Sequence, residues 1–192
     1  MKLEKLKQIL NKYNINHRQW SKKRLDKLLS HINSDKTEFW EKDGQLFCHV
    51  PFVVVDVQFQ RTETLWLRLV EDHTQYIGSN HVRHARPHLG VNVKIARGES
   101  SKHAARRSLK DKLGIKNPSR LEKIREYTEW VRNDTPFPGL LVRHKIFVYR
   151  YQISKRKYNP EGHQFKKTHS NKIVCFKWEP IKRDTTERRI TP

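Results

Sequence analysis

Residues 93–115 read Val93-Lys94-Ile95-Ala96-Arg97-Gly98-Glu99-Ser100-Ser101-Lys102-His103-Ala104-Ala105-Arg106-Arg107-Ser108-Leu109-Lys110-Asp111-Lys112-Leu113-Gly114-Ile115. A loop containing Gly98 leads into a helix that begins near Ser100 or Ser101, both good N-cap residues. Ala105, Leu109 and Leu113 stand four apart, share one helical face and can pack on a sheet. Gly114 ends the helix, where a left-handed residue is needed. Lys102, Arg106 and Lys110 are also four apart and line a second face. That face can track a phosphate backbone or simply be solvated.

Outward from this segment, the N-terminal side opens with helical spacing. Leu3, Leu6, Ile9, Leu10 and Tyr13 predict a helix over 2–13, stopped at Asn14. Ile15 and Trp20 lie in a short extended stretch. A second helix starts near Ser21 and places Leu25, Leu28, Leu29 and Ile32 on one face. From Phe39 the pattern changes to strands. Asp43-Gly44 is a hairpin turn signal between Phe39-Trp40 and Leu46-Phe47-Cys48. Phe52 to Phe59, Leu65 to Val70, Val91 to Ile95, Leu140 to Ile153 and Ile173 to Trp178 read as strands. Pro136, Pro138 and Gly139 punctuate a loop. The expected organisation is an N-terminal two-helix segment at 1–36, an α/β domain at 37–181 and a flexible basic tail at 182–192. Strands around one strong central helix predict a mixed α/β sandwich.

The 93–115 segment resembles the Nudix box, G-x5-E-x7-R-E-U-x-E-E-x-G-U, without a gap. Glu99, Arg107, Leu109, Gly114 and Ile115 fall on matching positions, and Asp111 replaces the first Glu of the closing pair. Val82-Arg83, Pro138-Gly139-Leu140, Pro160-Glu161-Gly162 and Ile173 to Trp178-Glu179-Pro180 resemble elements of a cyanobacterial and plant Nudix-like branch with a short helical N-terminal segment. The resemblance implies a Nudix-type α/β/α sandwich with a mixed sheet. It also implies hydrolysis of a nucleoside diphosphate linked to another moiety, with Mg²⁺ held by carboxylates on the box helix. At the three carboxylate positions this chain has Ser108, Asp111 and Lys112, and the first box Gly is Val93. A hydroxyl is a poor hard-cation ligand, and a charged ammonium has no lone pair to offer. The expectation is therefore a degenerate site with no resident cofactor. If hydrolysis remains, it needs Mg²⁺, with Asp111 and Glu99 as the candidate catalytic carboxylates. Glu126, Glu129 and Asp134 are the further carboxylates within reach in sequence.

Charge carries the rest of the reading. Forty-one Lys and Arg face twenty Asp and Glu, a net charge of +21. A compact body with that charge repels itself and calls for a polyanion. Nucleic acid fits, with RNA favoured. The candidate contacts are Arg83 and Arg86 among His81, His84 and His88; Lys102, Arg106, Lys110 and Lys112 on the box helix; and Lys155, Arg156, Lys157, Lys166 and Lys167 interleaved with Tyr151, Tyr158 and Phe165. Basic residues mixed with aromatics suit single-stranded RNA; the plainer alternative is loop solvation over core aromatics. The three His could hold a metal, but the interleaved Arg oppose it.

Cys48 and Cys175 sit among apolar residues and predict two buried thiols in a reducing, intracellular compartment, cytoplasm or organelle interior. The apolar run Val50 to Val55 is too short to span a bilayer, and no membrane partner is expected. The expected function is non-catalytic binding of RNA or other nucleic acid, within a ribonucleoprotein complex that supplies protein partners. The alternatives are a divergent pyrophosphohydrolase acting on a nucleoside diphosphate derivative or capped RNA, and a nucleotide-binding sensor using Arg107 or Lys112 as the phosphate counter-charge.

Overall fold

The computed structural model describes residues 1–34, 37–84, 90–131, 137–167 and 171–181. Arg86, His88, Asp134, Pro136 and the tail at 182–192 lie outside them. In chain order the elements are α1 (Leu3–Lys12), α2 (Lys22–Asn33), β1 (Glu38–Lys42), β2 (Gln45–Gln60), β3 (Trp66–Tyr76), β4 (Val82–His84), β5 (Val91–Lys94), α3 (Ser101–Leu113), β6 (Leu121–Val131), β7 (Leu141–Gln152), β8 (His163–Lys167) and β9 (Lys172–Ile181). Among the described residues the strands form one open sheet, hydrogen-bonded in the order β6-β7-β2-β3-β9-β8, with β1 and β5 on β2 and β4 on β3. The expected α/β class holds: one mixed sheet with few helices. No helix among the described residues is long and apolar enough to cross a membrane.

Contacts divide the chain into two compact units. The first comprises Met1–Val53, Val93–Ala104 and Arg125–Phe147. Its core joins Leu6 and Leu10 of α1, Leu25 and Leu28 of α2, Leu46, Cys48 and Val50 of β2, and Val142 of β7. Trp20 seals it: its indole lies 5.7 Å from the Phe137 ring and donates to the Pro138 carbonyl at 3.1 Å. Asn14, at φ 54, stops α1 as its sequence position predicts. The stretch from Ile15 to Trp20 is not simply extended, because His17–Gln19 form a 3₁₀ turn closed by Trp20 N–H on the His17 carbonyl at 3.0 Å. Asp43 and Gly44 make the two-residue turn of the β1–β2 hairpin, which pairs Trp40 with Phe47 and Glu38 with His49.

The second unit comprises Val54–Asn92, Ala105–Ile124 and Val148–Pro192. Its backbone is the long antiparallel ladder of β3 on β9, Trp66 opposite Ile181 to Tyr76 opposite Lys172, with an irregularity between Glu71 and His73. Val55, Val57, Phe59, Trp66, Leu67, Leu69, Val70 and Phe176 are buried in it. Arg68 reaches Asp56 through two hydrogen bonds of 2.6 and 3.1 Å, the fork geometry that favours Arg over Lys. Gly162 sits at φ 83, and a Cβ there would stand 1.9 Å from the Phe176 carbonyl oxygen, so β8 can enter against β9 only through glycine.

Three strands fall where the sequence predicts basic loop or nothing regular: β4, β6 and β8. Their residues are mostly exposed, so no apolar alternation marks them. They are added by ladder pairing to strands that do have a core face. Both thiols are free and buried, and burial pushes Cys48 up to about 12 despite the opposing charge of Lys94.

Candidate functional site

The loop before α3 is a tight turn. Glu99 N–H donates to the Ala96 carbonyl at 3.0 Å, and the Glu99 carboxylate accepts from Ala96 N–H at 3.0 Å. Ser100 caps the helix, its Oγ accepting from His103 N–H at 3.2 Å. At the other end Gly114, at φ 68, donates to the Lys110 carbonyl at 3.0 Å, the left-handed closure expected of it. Ala105 and Leu109 are fully buried, as their spacing predicts, while Leu113 on the same face is half-buried.

The three positions at which the resemblance implies carboxylates have very different surroundings. Ser108 is 1% exposed, and its hydroxyl oxygen has no hydrogen-bond partner among the described residues. Asp111 is exposed. Lys112 is half-buried, with its ammonium donating to the Asn92 backbone carbonyl. Burial pushes its pKa down to about 8; the Glu71 charge opposes this and the Lys167 charge adds to it. A divalent cation needs several anionic oxygens converging on one point. A hydroxyl, an ammonium and one solvent-facing carboxylate do not supply them. Among the described residues no group of three or more His, Cys, Asp or Glu is placed to hold a metal. These residues do not fit Mg²⁺, and no metal-dependent step follows from them.

The basic candidates lie mostly at the surface. Lys102, Arg106 and Lys110 are exposed along α3, Arg83 is exposed on β4, Lys155, Arg156 and Lys157 are exposed on a 3₁₀ turn, and Lys166 and Lys167 are exposed on β8. Lys112 differs from this set by its burial. The interleaved aromatics belong to the fold. Tyr151 is 4% exposed, and Tyr158 stacks on Phe59 at 3.8 Å between centroids and 11° between planes. His81 is exposed beside the Tyr76 ring at 4.9 Å, and the His84 ring stands 6.4 Å from that of His73, across the β3–β4 pair.

Sequence reasoning missed the aromatic group of Trp40, Phe47, His49 and Trp130 around Arg143 in the first unit. Half of its signal was available, because the Asp43-Gly44 turn sets Trp40 across from Phe47. The other half required β6.

No protein-family model matches the sequence, and no curated protein does. Among solved structures the chain is similar to a C. elegans Ap4A hydrolase binary complex, at 15% identity over 65% of this chain and 78% of that one, with a TM-score of 0.35. It is similar to the NUDIX domain of Shewanella oneidensis NrtR complexed with ADP ribose, at 18% identity over 69% and 73% of the two chains and a TM-score of 0.43. It is also similar to the E. coli dihydroneopterin triphosphate pyrophosphohydrolase, at 15% identity over 67% and 78% and a TM-score of 0.39. All three are Nudix proteins. At these identities and TM-scores the likeness assigns this chain no substrate, metal or residue role.

Proposed function

We propose that this chain is a Nudix-type protein that binds RNA or other nucleic acid through its basic surfaces, without hydrolysis, as a component of a ribonucleoprotein complex. The observation that carries this reading is the Lys112 ammonium, enclosed against the Asn92 carbonyl one helical turn from the buried Ser108 hydroxyl. A positive charge there opposes a divalent cation by direct repulsion, while the surface cations remain available to phosphates. The charge excess of forty-one basic over twenty acidic residues supports the same partner. Binding would be driven by release of counterions from the nucleic acid.

The test is an RNA titration across salt with turnover measured in parallel. If about six phosphates are contacted, affinity falls about a thousandfold between roughly 50 and 200 mM salt. Nucleoside diphosphate derivatives and capped RNA remain uncleaved with Mg²⁺ or Mn²⁺. Turnover that Asp111→Ala abolishes would replace this reading with the hydrolase. Failure to bind RNA near physiological salt would remove it.

A further inference from the structure

In the first unit, alternation along β2 and β7 sends successive side chains to opposite faces of the sheet. Leu46, Cys48, Val50 and Val142 join the core that α1 and α2 share. Phe47, His49 and Arg143 therefore face the other way. Above them stand Trp40 from β1 and Trp130 from β6. Trp40 lies flat over His49, with centroids 4.1 Å apart and planes at 20°. Trp130 meets Phe47 edge-on at 5.1 Å. Under these rings Phe47 and His49 are 3% and 6% exposed, yet Trp40 and Trp130 themselves are 41% and 47% exposed. The Arg143 guanidinium lies over both indoles, 5.4 Å from Trp40 and 5.9 Å from Trp130, and its buried Nε has no hydrogen-bond partner among the described residues.

We infer that Trp40, Arg143 and Trp130 form a stacking platform for the bases of single-stranded nucleic acid. This rests on the nucleic-acid reading above and gives it a site that the basic surfaces do not include. Indole and guanidinium planes accept any base on its π face, which is how single strands are held without regard to sequence. A sheet face with exposed aromatics suits splayed bases, whereas a duplex keeps its bases stacked inside and offers no free π face along its length. Local charge is compatible. Lys42, on the Trp40 face of β1, and Arg143 are cationic. Of the acids nearby, Glu126 is already paired with Lys145 at 2.9 Å, and Glu38 accepts from the Trp40 indole N–H at 3.3 Å. An apolar protein surface docked here would cover the charged Arg143 guanidinium without offering it an acceptor, which disfavours that occupant.

The test uses the full chain with an oligouridylate, a duplex of equal length and long-chain inorganic polyphosphate, which is a polyanion without bases. The oligouridylate is expected to quench tryptophan emission and polyphosphate to bind without quenching, a comparison that needs no variant to fold. Trp40→Ala and Trp130→Ala are expected to weaken oligouridylate binding by about tenfold or more and to leave polyphosphate binding unchanged. Trp130→Phe, which keeps a flat ring, should retain most of the affinity. Alanine variants that bind the oligouridylate as the parent does, or the absence of quenching by bound oligouridylate, overturn the platform and leave the salt-driven reading standing. A parent that binds no RNA at all overturns both. A dimer of the parent that Trp130→Ala dissociates also overturns the platform, by giving this face to a second copy of the chain.

Discussion

Burying an ammonium is unfavourable, and one carbonyl partner offsets only part of that. Lys112 is in this position, its pKa lowered from 10.5 to about 8 chiefly by burial. Below pH 8 the group is charged in both folded and unfolded chains, and the penalty is fully present. Between pH 8 and 10.5 the unfolded chain holds the proton more tightly, so stability rises with pH across that window. The whole effect is about 3 kcal/mol at most. Compared with Lys112→Met, the parent should gain stability between pH 7 and pH 10.5 in urea unfolding. An unchanged difference between the two proteins would contradict the assignment. Ser108 offers a second reading of the same spot. Its hydroxyl is buried without a partner among the described residues, so Ser108→Ala should raise stability by about 1 kcal/mol and leave RNA affinity unchanged. A loss of stability would mean that the hydroxyl is held by something in solution.

Among the elements, α3 was the most legible. Its capping serine, its four-residue apolar spacing and its terminal glycine are all local, and the observed helix Ser101–Leu113 keeps the expected bounds. Strands β6 and β8 were not legible, because an edge strand without a core face has no periodic apolar mark. The exposed face of α3 predicts a binding result. Arg106→Glu together with Lys110→Glu should lower the slope of log affinity against log salt by about 0.7 for each phosphate no longer engaged, with thermal stability nearly unchanged. An unaltered slope would make this a solvated face. The entry of β8 predicts a folding result. Gly162→Ala puts a methyl against the Phe176 carbonyl in a left-handed conformation and should cost about 2 kcal/mol or more, read by urea unfolding.

At the scale of the molecule, the charge of +21 was plain from composition, and with it the class of partner proposed. The aromatic platform was not, because Trp40 and Trp130 belong to strands far apart in the chain. They meet only when β1 pairs with β2 and β6 takes its place outside β7. Self-repulsion on this scale predicts that a bound polyanion stabilises the fold. Oligonucleotide at about a hundred times its dissociation constant should add about 2.7 kcal/mol, visible as a higher melting temperature. A melting temperature that ignores the oligonucleotide would speak against binding to the native state.

The place of β6 has a further consequence. It closes one end of the strand order, and every residue from Glu122 to Trp130 is exposed. On an end strand about half of the backbone N–H and C=O groups point away from the neighbouring strand, and such an open row is a natural seed for fibrils. Glu122, Lys123, Arg125, Glu126 and Glu129 keep its apolar runs to two residues at most. Copies stacked in register along a fibril axis would set like charge on like at each of these five positions. Growth of the strand that holds Trp130 into amyloid would therefore meet repulsion at each charged row.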